Sequence, residues 1–169
     1  MEALNEMNDI IELCRLNNKQ MVAYISMGFG NPYNDPYSPE VVEKFAGILA
    51  AMGINVISLA DTVGLADNEQ IMKVFTSVRS AYPDVEFGAH FHARPDQAAS
   101  RIQAAYKAGC RRFDSAIRGF GGCPMAKDDL VGNIPTETLI SVMKENKESL
   151  GIDDKKFQEA VGLSLNILG

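Results

Sequence analysis

The chain lacks several features that mark common classes of protein. It has 16 basic against 22 acidic residues and a formal net charge of −6, so no basic excess is available for a phosphate backbone and nucleic acid is not an expected partner. No stretch reaches the roughly 18 apolar residues of a membrane span. Residues 1–20 lack the basic start and the apolar run of a signal peptide. We therefore expect no membrane partner.

Cysteine is also scarce. Cys14, Cys110 and Cys123 are far apart and odd in number, so the sequence does not predict a disulfide framework. This pattern is typical of a chain kept in a reducing compartment, and we predict a cytoplasmic location. Cys14 and Cys110 fall at helical or helix-end apolar positions and are interpreted as packing residues.

What the chain does contain is a repeated alternation of strand and helix patterns. Short apolar runs begin near residues 21, 54, 86 and 112. Each is followed by a helical pattern, and a spacing of about 30 residues is typical of successive βα units with parallel strands. These units cover about 21–145, with a helix over 2–18 before them and a helix over about 153–167 after them. We predict one α/β domain over residues 1–169.

Four βα units are compatible with two architectures. One is a small doubly wound open sheet. The other is half of an eight-stranded (β/α)8, or TIM, barrel, which needs about 250 residues when complete. The fingerprint G-x-G-x-x-G of dinucleotide-binding folds is missing from the start of the chain, which weakens the open-sheet alternative.

Polar side chains collect where the predicted strands end, at the edge where α/β folds bind ligands. His90 and His92, the only histidines, stand at i and i+2 on one predicted strand and therefore point to the same face. Neutral imidazole is a common ligand of divalent metals, so the pair is a candidate metal site. The alternative is a pair of histidines that only make hydrogen bonds at a strand end.

Two aspartates end the neighbouring strands. Asp61 is interpreted as a general base or as a group that orients a histidine, with helix capping or a loop hydrogen bond as the alternative. Asp114 is expected to pair with Arg111 or Arg112 at the end of its own strand.

A glycine-rich loop follows the fourth predicted strand and carries a cysteine. Gly121 and Gly122 precede Cys123, and glycine at these positions lets a substrate approach the backbone closely. A thiol on such a loop acts as an acid or a base delivered on closure; the alternative is a cysteine that only occupies a turn. Asn133 either offers a carbonyl oxygen to a metal or forms an ordinary turn.

These segments together resemble one family. The runs AYISMGFGNPY, ISLADTVG, GAHFHARPDQA and FDSAIRGFGGCPMAKDDLVGN are similar to the C-terminal half of the 3-hydroxy-3-methylglutaryl-CoA lyases, over residues 20–145. The H-x-H strand is shared with the wider superfamily of metal-dependent barrel lyases and Claisen-type synthases, whereas the GFGGCP loop is typical of the lyases. The resemblance implies a TIM barrel with parallel strands, of which this chain is the second half, strands five to eight.

The resemblance also implies roles for individual residues. The ligands of a divalent cation, Mg²⁺ or Mn²⁺, would be His90, His92 and Asn133. The catalytic residues would be Cys123 and Asp61. The positions that contact an acyl-CoA substrate would be Tyr24, Thr62, Gly121 and Gly122.

The reaction implied by the resemblance is a retro-Claisen cleavage of 3-hydroxy-3-methylglutaryl-CoA, or of a similar 3-hydroxyacyl-CoA, to acetyl-CoA and acetoacetate. Such chemistry belongs to ketone-body or leucine metabolism. The metal polarises the substrate's oxygens, a base takes the hydroxyl proton, and Cys123 protonates the resulting enolate. One alternative is an acyltransferase of the same superfamily that condenses acetyl-CoA with a 2-oxo acid, against which the GGCP loop argues. Another is an inactive half-barrel or assembly module.

Three departures from the family pattern bear on these expectations. Ala93 follows the H-x-H where the family usually has aspartate. The loop has Arg118 and Met125 where a small residue and tyrosine are commoner, so the acyl group recognised stays open. Nothing before Met21 supplies the Arg-Asp pair of the family's first strand, in which the aspartate is a metal ligand. We therefore expect an incomplete site and impaired turnover in this chain alone.

A half-barrel exposes strand edges, and this generates a prediction about assembly. The edges near residues 21–27 and 112–117, together with an apolar concave face, would be open to water. We expect a homo-oligomer, or binding of the missing N-terminal half-barrel, because two copies related by a twofold axis close eight strands. Light scattering at micromolar concentration should give a mass above that of one chain, and a stable monomer would contradict the prediction.

Overall fold

The structure is a computed structural model that describes residues 2–122 and 131–168. Its helices are α1 (Glu2–Leu16), α2 (Pro39–Ala51), α3 (Asn68–Ala81), α4 (Pro95–Lys107), α5 (Thr136–Glu145) and α6 (Asp154–Leu168). Its strands are β1 (Ala23–Ile25), β2 (Val56–Asp61), β3 (Glu86–Ala93), β4 (Arg112–Phe113) and β5 (Gly132–Asn133). The helices and β1 to β3 lie within a few residues of the predicted elements.

Four of the strands form a parallel sheet in the order β1-β2-β3-β4. The register pairs Tyr24 with Ser58, Ser58 with Gly88 and Gly88 with Arg112, so these four residues form one row across the sheet. Strands that are consecutive in the chain are also neighbours in the sheet, as in a (β/α) barrel. The prediction of successive parallel βα units is confirmed.

The end of the sheet differs from the prediction of a strand over 112–117. The chain leaves the sheet after two residues of β4, and the amide of Ala116 donates to the carbonyl of Ile134 at 3.0 Å. A 3-10 turn over Ile117–Gly119 follows. The returning segment forms β5, an antiparallel strand that pairs Asn133 with His92 and was not predicted. A strand of two residues is too short to show the alternation by which strands are recognised.

The hydrophobic core lies between the sheet and its covering helices. Phe29, Phe75 and Phe91 are at most 2% exposed, and their ring centroids lie 5.5 to 6.3 Å apart. The strand β2 is buried along its whole length. Burial along the whole strand favours apolar residues on both of its sides, which explains why β2 is apolar apart from Ser58 and Asp61.

Local sequence accounts for several helix ends. Asp67 caps α3, as predicted, by accepting a hydrogen bond from the amide of Gln70 at 2.7 Å. Gly53 and Gly109 end α2 and α4 with φ of 87° and 89°, in the region that favours glycine. Ser38 occupies the predicted cap position of α2, but its side chain makes no capping hydrogen bond. None of the described helices is long and apolar enough to cross a membrane.

The concave face of the sheet, opposite the helix-packed core, is polar across its middle. Side chains alternate along a strand, so the row of Tyr24, Ser58 and Arg112 shares its face with His90. The expectation of an apolar concave face is therefore wrong at this row.

The aromatic cluster of the core gives a stability prediction. Phe75→Ala should lower the free energy of unfolding by about 3–5 kcal/mol, because the side chain is fully buried and its removal leaves a cavity. Phe45→Ala is the matched control, since Phe45 is 48% exposed on α2, and it should change stability by less than about 1 kcal/mol. Urea unfolding measures both, and equal losses would contradict the described core.

Candidate active site

Three side chains from three strands meet on the concave face. The hydroxyl of Tyr24 donates to Asp114 Oδ2 at 2.8 Å. His90 Nδ1 lies 3.1 Å from the same oxygen, and the rings of Tyr24 and His90 are edge to face with centroids 5.6 Å apart. Asp114 therefore accepts from both groups through one carboxylate oxygen. Sequence reasoning expected Asp114 to pair with Arg111 or Arg112. The hydrogen bonds of its side chain within the described residues go to Tyr24 and His90, while the nearby charge of Arg112 adds to the lowering of the Asp114 pKa.

This arrangement shifts the pKa values of Asp114 and Tyr24. The hydrogen bond from His90, followed by that from Tyr24, holds the pKa of Asp114 below its ordinary value although burial opposes the shift. The hydrogen bond to Asp114 is the main cause that raises the pKa of Tyr24, so its hydroxyl stays protonated. When His90 is neutral, its hydrogen bond to the ionised Asp114 places the ring proton on Nδ1. The lone pair of Nε2 is then available for a ligand.

His92 lies beside His90, with ring centroids 5.4 Å apart. Burial, followed by the proximity of His90, lowers the pKa of His92, while hydrogen bonds with the backbone of Thr62 and the side chain of Asn133 oppose that shift. His92 Nδ1 is buried and makes no hydrogen bond within the described residues. An unsatisfied buried nitrogen is costly unless a ligand supplies its partner.

Asn133 is brought to the histidines by β5, where it lies opposite His92 in the antiparallel pairing. Its side-chain amide nitrogen donates to the carbonyl of Phe120 at 2.8 Å, which fixes the amide, and the Asn133 side chain also hydrogen-bonds with His92. Two imidazoles and an amide oxygen are donors that suit a divalent cation. His90, His92 and Asn133 thus fit the metal-ligand set predicted from the sequence, because a bound metal would supply the partner that the buried His92 Nδ1 lacks.

Residues 2–122 and 131–168 contain no group of three or more histidine, cysteine, aspartate or glutamate side chains that is placed to hold a metal. Asn133 lies outside that set of residue types. Cys123 lies outside the described residues, so its predicted catalytic role stays a prediction.

The glycine loop packs backbone against backbone next to β5. A side chain on Gly119 would lie 2.7 Å from the carbonyl oxygen of Asn133, and one on Gly132 would lie 3.0 Å from the carbonyl oxygen of Gly119. Gly121 has a φ of 86°, and its carbonyl accepts from the amide of Asn133. The glycines therefore let this segment reach Asn133, and the substrate contact predicted for Gly121 and Gly122 stays a prediction.

A cavity of about 380 Å³ opens against this loop and is bordered by Arg118–Gly122, Val131–Asn133 and Pro95. A larger cavity of about 530 Å³ lies at the amino ends of β1 and β2, next to Met21 and Asn55, and none of the candidate residues lines it. Of the candidate residues, Gly121, Gly122 and Asn133 line the smaller cavity, whereas His90 and His92 do not. We place the candidate site at this end of the strands because the polar side chains converge there.

Asp61 has a different environment from the histidines. It alternates with Ile57 and Leu59 of the core, so its carboxylate lies on the helix-packed side of the sheet, where it is fully buried. Its oxygens accept from the amides of Leu65 and Ala66 at 2.9 and 3.0 Å. These contacts favour the loop hydrogen-bond interpretation of Asp61, and its catalytic role stays a prediction.

The partner of Asp61 is Arg101, which sequence reasoning did not single out. Arg101 Nη1 donates to Asp61 Oδ2 at 2.9 Å and to the carbonyl of His92 at 2.8 Å, and Nη2 donates to the carbonyl of Gly64 at 3.0 Å. Burial raises the pKa of Asp61, while the two backbone amides and the Arg101 charge oppose that shift. Arg101 falls on the buried face of α4 with Ala98, Ile102 and Ala105, and this position was the available signal.

Thr62 holds the turn after β1 in place. Thr62 Oγ1 accepts from the amide of Met27 at 2.9 Å, which fixes the turn that follows β1. Met27 has a φ of 55°, a left-handed conformation that needs such support in a residue other than glycine. The substrate contacts predicted for Thr62 and Tyr24 stay predictions.

Comparison with known proteins places the chain in a sequence family. The HMGL-like family model matches residues 1–163. The chain is 33% identical to a cytoplasmic 3-hydroxy-3-methylglutaryl-CoA lyase of Rattus norvegicus, over 94% of this chain and 46% of that protein. The chain therefore spans about half the length of this curated relative.

Solved structures agree with that assignment. The fold is similar to that of a hydroxymethylglutaryl-CoA lyase of Pseudomonas aeruginosa, with a TM-score of 0.90 and 29% identity over 99% of this chain and 56% of that one. It is also similar to a lyase of Acinetobacter baumannii solved with coenzyme A and 3-methylmalate, with a TM-score of 0.83 and 31% identity over 99% of this chain and 54% of that one. The predicted fold class is thereby confirmed, and the chain covers part of a TIM barrel.

The buried pair of Arg101 and Asp61 gives a second prediction. Arg101→Met should lower the free energy of unfolding by about 3–5 kcal/mol, because it leaves a buried carboxylate without its counter-charge. Combining it with Asp61→Asn should recover most of the loss. Arg15→Met is the control, since its side chain is 72% exposed in a pair with Glu12, and such pairs contribute about 1 kcal/mol at most.

The same variant has a defined pH dependence. Losing Arg101 removes a group that opposes the raised pKa of Asp61, so that pKa rises further in the folded chain. When the pKa of a carboxyl group is higher in the folded chain than in the unfolded chain, ionisation of that group destabilises the fold. This loss of stability disappears as the pH falls through the folded-state pKa. Urea unfolding at a series of pH values should show the Arg101→Met deficit shrinking from neutral towards acid pH. A constant deficit would contradict this role of Asp61.

Proposed function

Because this chain belongs to the HMGL-like family, we propose that it carries part of the active site of a metal-dependent carbon–carbon lyase that cleaves 3-hydroxy-3-methylglutaryl-CoA or a similar 3-hydroxyacyl-CoA. The observation that carries the proposal is the meeting of His90, His92 and Asn133 at the carboxyl ends of the strands, with His92 Nδ1 buried and unpartnered. The products would be acetyl-CoA and acetoacetate or their analogues.

The residues of the site would hold a divalent cation, Mg²⁺ or Mn²⁺, through His90, His92 and Asn133. When bound, the cation supplies Lewis-acid polarisation of the substrate's hydroxyl and carboxylate oxygens. Asp114 fixes the orientation and the tautomer of His90 through the 3.1 Å contact, as carboxylates commonly do for metal-binding histidines. Tyr24 completes this unit by donating to the same carboxylate oxygen.

The cleavage removes one proton from the substrate and returns one proton to the product. A base removes the proton of the substrate's 3-hydroxyl, a carbonyl forms at that carbon, and the adjacent C–C bond breaks with its electron pair left on the thioester's α-carbon. We assign the acid that protonates this carbon to Cys123. Positioned acids of this kind contribute about 10²- to 10⁴-fold to the rate.

We assign Asp61 a positioning role, because its carboxylate is occupied by Leu65, Ala66 and Arg101. Through the loop over 62–66 it holds Thr62, which follows it directly in the chain. Thr62, Tyr24, Gly121 and Gly122 are proposed to contact the acyl-CoA substrate.

We further propose that the site is completed by residues outside this chain's four parallel strands. The outer edge of β1 is unpaired within the described residues, and an unpaired strand edge is a template for another strand. A second copy of the chain or a separate half-barrel would supply the remaining ligand and would cover that edge. The protein is proposed to act in the cytoplasm.

The test of the proposed function separates turnover from metal binding. Mass spectrometry should detect acetyl-CoA and acetoacetate from 3-hydroxy-3-methylglutaryl-CoA with Mg²⁺ or Mn²⁺ and not with chelator. Cys123→Ala should lower the rate by about 10²- to 10⁴-fold and leave Mn²⁺ binding unchanged in calorimetry. His92→Ala should abolish Mn²⁺ binding. Cys14→Ala on α1 is the matched cysteine control and should match the parent in both measurements.

Several results would contradict the proposal. Loss of metal binding in Cys123→Ala would count against the assigned roles, and retained binding in His92→Ala would count against the metal site. Metal binding without product would identify an inactive half-barrel. Consumption of acetyl-CoA with a 2-oxo acid would identify the acyltransferase alternative.

A further inference from the structure

Arg101 on α4 uses both of its terminal nitrogens inside the protein. Nη1 donates to Asp61 Oδ2 at 2.9 Å and to the carbonyl of His92 at 2.8 Å. Nη2 donates to the carbonyl of Gly64 at 3.0 Å and to Gln97 Oε1 at 3.1 Å. The side chain is only 6% exposed, so water hardly competes for these contacts. The planar guanidinium is therefore held in one orientation between the ends of β2 and β3.

The bond to the His92 carbonyl extends the ladder between β2 and β3 beyond the last strand pair. The amide of Glu86 donates to the carbonyl of Asn55, just before β2. Alternate residues of a strand direct their backbone groups to the same neighbour, so the carbonyl of His92, an even number of residues after Glu86, also points towards β2. The pairing of β2 ends at Asp61, opposite the residue before His92. Arg101 therefore supplies the hydrogen bond that a further residue of β2 would make.

The ring of His92 is held through the same guanidinium. It hydrogen-bonds with the backbone of Thr62, in the loop that joins β2 to α3. Arg101 binds that loop at the carbonyl of Gly64 and at the carboxylate of Asp61, where the loop begins. Arg101 therefore holds His92 twice, once at its backbone carbonyl and once through the loop that contacts its ring.

We propose that Arg101 is a positioning residue of the metal site and sets the affinity for the divalent cation by holding His92. The inference rests on the proposed function, because it concerns the same candidate ligands. His92 lies beside His90 and opposite Asn133, so a shift of its backbone or its ring moves one ligand relative to the other two. Arg101 contacts neither the cation nor the substrate in this role and acts only through His92.

The expected size of the effect follows from the tolerance of metal ligation. A binding site must be held within about 0.5 Å and 10–20° of its productive geometry. Loss of a group that orients a metal ligand typically lowers metal affinity by about 10- to 100-fold. A role limited to neutralising Asp61 makes a different prediction, because Arg101 would then be dispensable for metal binding once the charge of that carboxylate is removed.

The test uses the full chain and separates stability from metal affinity. Arg101→Met combined with Asp61→Asn removes both charges of the buried pair, so the thermal unfolding temperature should return close to that of the parent. The carbonyl of His92 still lacks its donor. Calorimetric titration with Mn²⁺ should therefore give a dissociation constant about 10- to 100-fold higher than that of the parent. Arg101→Lys keeps a charge beside Asp61 without the fork of donors, and its affinity for Mn²⁺ should fall as well.

The matched control is Arg79→Met. Arg79 Nη1 also donates to a backbone carbonyl, that of Ala108 at 3.0 Å, but at the other end of α4. This variant should bind Mn²⁺ as the parent does, because it leaves every contact of His92 in place.

A second readout needs no metal. The chain has two histidines, so NMR can follow each ring separately. In the double variant without metal, the ring signals of His92 should shift or broaden. Those of His90, which is held by Asp114 at 3.1 Å, should stay near their positions in the parent.

The positioning role would be overturned by a double variant that binds Mn²⁺ as tightly as the parent, or by unchanged ring signals of His92 in that variant. An equal loss of affinity in Arg79→Met would also overturn it, since the effect would then not depend on contact with His92. Failure of the proposed function gives a different result, because the parent chain itself would then bind no Mn²⁺. That result would reject the metal site and this inference together.

Discussion

The arrangement of the site depends on one buried ion pair. Arg101 of α4 joins the carboxylate of Asp61 at the end of β2, the carbonyl of Gly64 in the following loop and the carbonyl of His92 in β3. Removing two charges from water costs several kcal/mol for each, and this cost is offset only when every donor and acceptor finds a partner. Because these partners lie on three segments, satisfying them fixes the relative positions of those segments.

Alternation along the strands separates residues that hold the fold from residues that face ligands. In β2, Asp61 faces the helix-packed side and Ser58 faces the concave side; in β3, Phe91 lies in the core while His90 shares the concave face. Charged and polar groups on the helix side are satisfied by protein atoms. On the concave side, His92 Nδ1 is buried and is not satisfied within the described residues. This contrast is the physical reason for locating ligand chemistry on the concave face.

The fold and part of the site were predictable because they depend on local pattern. The spacing of apolar runs predicted the βα units, and the i, i+2 spacing of His90 and His92 placed both rings on one face. The partner of Asp114 was not predictable in the same way, because the contact with His90 depends on the register of β3 and β4. The strand β5 was missed because two residues show no period, although they bring Asn133 opposite His92.

The sequence by itself determined the order of helices and strands, the polar ends of the strands and the chemical identity of the candidate ligands, since each follows from periodicity or residue type over short distances. The tertiary structure decided which of these residues meet. It placed Asp114 and Tyr24 with His90, assigned Asp61 to Arg101, and set Ser58 beside Arg112 across Gly88. Contacts between residues far apart in the chain depend on strand register and helix packing, and neither is written in any single segment.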